Sequence, residues 1–229
     1  DRYGLLSLEK LKKAIKKDWI TVNNNPATTA TYIKGGEIIK LEIPYQDNNI
    51  TSDLALKLNI LYEDDYLAII CKPAGIIVSG NKFKTIANAL PRNLEYSKTD
   101  DAVIPQPVHR LDYETTGVLL VGKTASAIIS LNKLFEHKKI YKIYYAVCVG
   151  KIQKKGTIIY DVDNKPAKTY FELIDSLKSE RFTRLNLLKL SIETGRRHQI
   201  RKHLSYIGNQ ILGDKVYGKS ELILRGKGL

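Results

Sequence analysis

Short apolar segments separated by turns dominate the chain and constrain its fold more than any other feature. Residues 67–71, 118–121 and 144–149 have the length of buried strands, and residues 169–174 and 185–192 are longer candidates. These segments do not alternate regularly with helical patterns, as the strands of a parallel sheet would. We therefore predict an α+β fold with a mixed, largely antiparallel sheet and helices packed on it.

Helical spacing of apolar residues marks three segments between these strands. Residues 85–90, 125–137 and 198–207 carry apolar side chains three and four positions apart. Gly208 follows the third segment, where a helix commonly ends in the left-handed conformation that glycine adopts easily. The third segment is therefore predicted to end at this glycine.

A polar segment predicts a domain boundary. Residues 46–52 are rich in Asn and show no apolar periodicity, as expected of a linker. We therefore predict a small α/β domain over residues 1–46 and a main domain over residues 53–229.

The first predicted helix of the small domain has one apolar and one basic face. Ser7 can cap it, and Leu8, Leu11 and Ile15 fall on the apolar face. The other face carries four lysines: Lys10, Lys13, Lys16 and Lys17. From the helix alone, these lysines are either a solvated surface or a contact for an anionic partner.

Charge narrows the class of partner. The chain has 37 Lys and Arg against 24 Asp and Glu, a net charge of +13. Such an excess points to nucleic acid, although a solubilising surface gives the same balance. The two cysteines and four histidines lack zinc-ligand spacing, so we predict no metal site. No apolar run could cross a bilayer and no secretory signal is visible, so we expect a cytoplasmic protein without a membrane partner.

One segment matches the sequence of a phosphate-binding loop but does not have the residues expected of such a loop. Residues 117–124 match G-x-x-x-x-G-K-[ST], including Lys123 and Thr124. The four residues between the glycines are Val-Leu-Leu-Val, which favours a buried strand over a loop with its backbone N–H groups turned to a phosphate. We therefore reject nucleotide triphosphate binding here.

Two polar segments carry the candidate chemistry. Residues 108–117 place Arg110 and Asp112 on a loop just before a predicted strand, although a lone Asp in such a loop is commonly a turn residue. Residues 178–215 hold nine Lys or Arg against three acids, a density that suits a phosphate backbone or a solvated helix.

Four motifs in these and neighbouring segments resemble RluA-type RNA pseudouridine synthases. Residues 109–112 (His-Arg-Leu-Asp), followed by Thr-Thr-Gly at 115–117, resemble the signature loop of that family. Three other segments resemble its opening strand and turn, its tyrosine segment and its late basic motif: residues 61–75, 142–146 and 195–201. In order, the motifs cover roughly residues 58–217.

The resemblance implies a function and roles for individual residues. It implies isomerisation of uridine to pseudouridine in RNA, without a cofactor. It assigns the catalytic carboxylate to Asp112 and its ion-pair partner to Arg201. It also implies that Tyr144 stacks on the uracil and could accept a proton, and that Arg110 fills the space left by the flipped base.

The RNA itself is expected to be held by basic side chains. Residues 5–45 resemble the small RNA-binding domain named after ribosomal small-subunit protein four, which favours ribosomal RNA, with transfer RNA as the alternative. We expect a monomer. The expected RNA contacts are His109, Arg110, Arg196, Arg197, Lys202, Lys13, Lys16 and Lys17.

Some positions depart from the family pattern, and two rival functions remain open. Thr116 stands where the family usually has Ser, and Arg197 where it often has Thr. The family usually continues into further strand beyond the position that matches Leu229, so we expect more chain there. The rivals are an inactive RNA-binding protein on the same fold and a hydrolytic RNA glycosylase.

Overall fold

The computed structural model of the protein describes residues 8–42 and 54–219. The first range forms a small α/β unit with helix α1 (Leu8–Lys16) and strands β1 (Ile20–Val22), β2 (Asn25–Pro26) and β3 (Ile39–Leu41). The strands lie in the antiparallel order β2-β1-β3.

The helix of this unit packs on a small core, in a slightly different way from the prediction. Ala14 and Ile20 are buried with Ala27, and Ile15 packs against them, whereas Leu11 is 38% exposed. The predicted cap at residue 7 and the predicted boundary at residues 46–52 lie outside the described residues. That this unit is a separate RNA-binding domain remains a prediction.

The second range begins with a four-stranded sheet. Its strands are β4 (Asn59–Glu63), β5 (Leu67–Lys72), β6 (Ala102–Pro107) and β7 (Gly117–Thr124), in the order β4-β5-β7-β6 and all antiparallel. Helices α2 (Ile86–Asn93) and α3 (Ala125–Glu136) follow β5 and β7. Alternate residues of β5 and β7 are buried with α2, because successive side chains of a strand point to opposite faces.

A second four-stranded sheet follows. It contains β8 (Ile143–Val149), β9 (Lys155–Ile159), β10 (Lys168–Ser179) and β11 (Thr183–Ile192), in the antiparallel order β8-β11-β10-β9. Helix α4 (Gln199–Tyr206) covers one face through Leu204, which is buried with Leu188 and Leu190. The other face of this sheet keeps large side chains exposed, Tyr145 and Ile159 among them.

The predicted antiparallel pairing with packed helices is confirmed, but the prediction of one mixed sheet is wrong in two details. The described residues form two main sheets instead of one, and every pairing between their named strands is antiparallel. No apolar run marks β6 or β9 as strands in the sequence. Both are edge strands: β6 contains two prolines, which edges tolerate, and β9 is short and carries lysine and glycine.

The rejection of a phosphate-binding loop is confirmed. Residues 117–124 are strand β7, and the Lys123 side chain is buried. Its Nζ lies 2.7 Å from Glu63 Oε1 and 2.6 Å from the Asp64 carbonyl. Gly122 is required because a side chain there would overlap Ile128 of α3. Among the helices described, none has the length and apolar character needed to cross a bilayer.

Candidate active site

The loop between β6 and β7 carries Asp112 and is tied to the end of β5. The Gly75 N–H donates to the Tyr113 carbonyl at 2.8 Å, and the Thr116 hydroxyl donates to the Lys72 carbonyl at 2.9 Å. Within the loop, the Thr115 N–H donates to the Asp112 carbonyl at 3.1 Å, which forms a tight turn. These bonds fix the backbone that follows Asp112.

A fully buried lysine at the end of β5 completes this anchoring. Lys72 Nζ donates to the carbonyls of Thr115 at 2.7 Å and Pro73 at 2.8 Å, with a longer contact of 3.4 Å to Tyr113. Burial lowers the pKa of Lys72 to about 8, while the negative charges of Asp112 and Glu114 act in the opposite direction. The ammonium thus holds the loop and adds positive charge beneath the carboxylate.

Asp112 faces two cationic or ionisable side chains from the start of α4. Arg201 Nη1 lies 3.5 Å from its Oδ2, and His198 Nε2 lies 3.7 Å from its Oδ1. Asp112 lines a cleft of about 170 Å³ together with Arg110, Tyr144 and Arg201. The structure therefore brings together the three predicted catalytic residues, which are far apart in the sequence.

Arg201 is held by a residue that the sequence did not single out. Asp214 receives two hydrogen bonds from its guanidinium, from Nε at 2.7 Å and from Nη2 at 2.8 Å. The Asp214 bonds, only partly opposed by burial, raise the pKa of Arg201, so it stays a cation. Asp214 also accepts the N–H groups of Val216 and Tyr217. The sequence shows it only as an acid after a glycine, which signals a turn.

His198 is a second site residue without an assigned role at the sequence level. Its backbone lies in the left-handed region, with φ of 56°, immediately before α4. Nδ1 lies 2.9 Å from the Tyr217 hydroxyl, so Nε2 is turned toward Asp112. Burial lowers the pKa of His198, and the cations Arg201, Arg197 and Lys202 act in the same direction against the effect of Asp112.

Tyr144 lies in the cleft, but its ionisation does not suit one of its predicted roles. Burial raises the pKa of its phenol, and the negative charge of Asp112 raises it further. A phenol that is harder to ionise is a poorer proton acceptor at neutral pH. The position of Tyr144 in the cleft wall is compatible with stacking on a base, and its electrostatics disfavour the role of general base.

The predicted RNA contacts fall into exposed and engaged groups. Arg110, Arg196 and Arg197 are exposed near the cleft. Lys13 and Lys16 are exposed on α1, and Lys17 is exposed directly after it. Lys202 is partly buried, and its Nζ lies 2.5 Å from Asp163 Oδ1.

His109 makes contacts within the protein. Its Nε2 accepts the backbone N–H of Leu120 at 3.0 Å, and its ring packs against Phe135 with 4.9 Å between centroids. Burial lowers the pKa of His109, which favours the neutral ring that this acceptor role requires. His109 therefore fixes the loop to β7, and a contact of His109 with RNA remains a prediction. In the part of the chain that the structure describes, no group of His, Cys, Asp and Glu is arranged to hold a metal ion.

The architecture is similar to that of a solved human protein, RNA Pseudouridylate Synthase Domain Containing 4. The two superpose with a TM-score of 0.59 and 26% sequence identity, over 75% of this chain and 73% of the human one. Two antiparallel sheets, with the Asp112 cleft beside them, therefore define a pseudouridine synthase-like fold.

The sequence gives the family directly. The profile of the RNA pseudouridylate synthase family matches residues 66–206, more than half of the chain, and the protein belongs to this family. It is 35% identical over 233 residues to ribosomal large subunit pseudouridine synthase D of Nitrosomonas europaea, a match that covers 93% of this chain and 65% of that protein. It is 33% identical over 252 residues to ribosomal large subunit pseudouridine synthase C of Rickettsia felis, covering 96% and 80%.

Proposed function

We propose that the protein isomerises specific uridines to pseudouridine in large-subunit ribosomal RNA. The observation that carries the proposal is the cleft in which Asp112 faces Arg201 while Tyr144 lies beside it. The names of the relatives from Nitrosomonas europaea and Rickettsia felis support ribosomal RNA as the substrate. Transfer RNA is the second candidate substrate.

The reaction explains why a carboxylate is needed. The bond from the sugar to nitrogen 1 of uracil breaks, and a new bond forms from the sugar to carbon 5 of the same base. The proton on carbon 5 leaves, nitrogen 1 takes up a proton, and no electrons are gained or lost overall. A carboxylate beside the sugar carbon is the group that enzymes use at glycosidic bonds. Asp112 supplies it, and the Arg201 guanidinium balances its charge.

The target uridine must leave its stack to reach Asp112, at a cost of a few kcal/mol in structured RNA. Arg110 lies two residues before Asp112 on the same anchored loop and fills the vacated space. Tyr144 stacks on the flipped uracil as a neutral phenol. Arg196, Arg197 and Lys202 hold the phosphates, a kind of contact that positions RNA without reading its sequence.

The N-terminal unit provides a second surface that binds the RNA. We assign residues 1–46 to a small RNA-binding domain and residues 53–229 to the catalytic domain. The exposed lysines at the end of α1, Lys13 and Lys16, and Lys17 directly after it support this assignment because they concentrate positive charge there. The enzyme acts as a cytoplasmic monomer.

Release of tritium tests the function. Ribosomal and transfer RNA labelled with tritium at carbon 5 of uridine are incubated separately with the protein and with Asp112→Ala. We expect release from ribosomal RNA by the parent and none by the variant. Free uracil among the products would indicate a hydrolytic glycosylase. Binding without release from either RNA would indicate a protein that only binds, and release unaffected by the variant would contradict the role of Asp112.

A further inference from the structure

A series of connected hollows leads away from the Asp112 cleft and over the open face of the second sheet. A hollow of about 550 Å³ shares Leu111, Thr115, Tyr144 and Tyr145 with the cleft. A third hollow of about 470 Å³ shares Ile140 and Tyr141 with the second, and a fourth of about 430 Å³ shares Tyr141, Tyr170 and Ser191 with the third. We call the three hollows beyond the cleft the lateral track.

Exposed aromatic rings stand along this track. Tyr145 is 64% exposed and Tyr141 is 80% exposed, although each borders a hollow of the track. Tyr170 lies further along, half-buried, with Lys168 Nζ 4.7 Å from its ring centroid. Rings in such positions are typical of surfaces that stack successive unpaired bases, because every base has a π-face.

The charge of the track matches a phosphate backbone. The lysines that line the track are Lys138, Lys139, Lys142, Lys155 and Lys189. Two glutamates line it as well, and each is paired with a lysine: Glu172 with Lys155 at 3.0 Å, and Glu193 with Lys168 at 3.2 Å. Burial and the like charge of Lys138 lower the pKa of Lys142, which agrees with lysines crowded around one groove.

We propose that the lateral track holds unpaired nucleotides adjoining the target uridine, so that the substrate is a single-stranded segment as well as a flipped base. The inference rests on the proposed function, because the track opens from the cleft that would receive the uridine. Aromatic rings, an excess of lysines and continuity with the cleft all favour RNA as the occupant. A strand leaving Asp112 would pass Tyr145 and Tyr141 before it reached Tyr170.

Binding to two RNA probes tests the track. The first probe is a fluorescent hairpin whose stem ends in a single unpaired uridine, and the second carries an extension of about eight further unpaired nucleotides beyond that uridine, a length that single-strand grooves accommodate. Both ends are tried in turn. We expect the parent to bind one of the extended probes about tenfold more tightly than the hairpin, the effect of stacking about one base.

The variants are chosen so that folding is not at issue. Tyr141→Ala/Lys139→Ala removes two exposed side chains of the track and is expected to lose the gain from the extension while keeping the affinity for the hairpin. Tyr141→Phe retains the ring and should retain the gain. Tyr96→Ala/Lys98→Ala is the matched control, because it removes an exposed Tyr and Lys that line none of the hollows of the track.

Two outcomes would overturn the inference: no gain from either extension with the parent, or an equal loss in the control variant. Tritium release from the same probes separates this failure from failure of the proposed function. Release with no gain from the extension would reject the track alone. A gain that depends on Tyr141 without any release would reject the isomerase and leave the track as a binding surface.

Discussion

Two buried lysines mark opposite ends of the first sheet, and they are used differently. Lys123 lies near the end of β7, where its ammonium is paired with the Glu63 carboxylate at 2.7 Å. Lys72 lies at the end of β5, where its ammonium meets only carbonyl oxygens of the Asp112 loop and its neighbours. Among the described residues, no carboxylate lies within ion-pair distance of Lys72.

The difference shows how one sheet can serve stability at one end and chemistry at the other. In a buried ion pair such as Lys123 with Glu63, the two opposite charges neutralise each other. The Lys72 ammonium donates its hydrogen bonds to backbone carbonyls. Its positive charge therefore still attracts the carboxylates of Asp112 and Glu114. The end that carries Asp112 is thus built around a cation without a carboxylate in ion-pair distance, and the far end is not.

The largest effect should come from removing the carboxylate at the catalytic end. Asp112→Asn keeps the size of the side chain, so we expect tritium release to fall by more than about 10³-fold with an unchanged melting temperature. Glu63→Gln is the matched change at the far end and should leave release unchanged while lowering stability. Comparable loss of release in both variants would contradict the division between the two ends.

A smaller loss is expected when the support of Arg201 is changed. Asp214→Asn turns an amide toward the guanidinium in place of one carboxylate oxygen, so Arg201 is no longer fixed opposite Asp112. A misplacement of about 1 Å can cost about 10²-fold in rate. We expect kcat to fall by about that factor while KM for the RNA changes little. A rise in KM with normal kcat would show that Asp214 supports RNA binding instead.

The two lysines give a direct test of the comparison. Lys72→Met leaves buried carbonyls without donors, and Lys123→Met leaves a carboxylate without its cation. Each should lower the free energy of unfolding by about 3 kcal/mol in urea titrations. Only Lys72→Met should also lower kcat, by about tenfold, because only its carbonyls belong to the Asp112 loop. Equal effects on kcat would remove the distinction.

The smallest effect concerns pH. The pKa of Lys72 is lowered from 10.5 in the unfolded chain to about 8 in the folded protein. Between these values the unfolded state binds more protons, so the free energy of unfolding should rise with pH across this window. Denaturation of the parent relative to Lys72→Met at several pH values isolates this contribution. A difference that fell with rising pH would mean that the carbonyls stabilise the ammonium more than burial disfavours it.

The sequence predicted most of the fold because its signals are local. The apolar run before Lys72 and the helical spacing before His137 agree with β5 and α3 to within a residue or two. Edge strands β6 and β9 carry no such run, so their pairing depends on neighbours distant in the chain. For the site, motifs supplied Asp112, Tyr144 and Arg201 by resemblance.

The residues that hold the Asp112 loop and Arg201 in place could not be predicted from local sequence signals. Lys72 reaches carbonyls more than forty positions later in the chain, and Asp214 grips Arg201 from the turn beyond α4. Such contacts exist only once the sheets and α4 are assembled. His198 lies inside a recognised motif, but only the assembled structure shows that its Nε2 lies 3.7 Å from Asp112 Oδ1.

The Lys72 hydrogen bonds that hold the Asp112 loop also determine whether the protein or the RNA must change shape when the two bind. Opening the loop would strip Lys72 of its acceptors while it is still enclosed, which is costly for a buried cation. The Asp112 loop is therefore preorganised, with the same conformation before and after RNA binding. We therefore expect the work of unstacking and bending to fall on the RNA, with uridines in strained or loosely paired positions as the preferred targets.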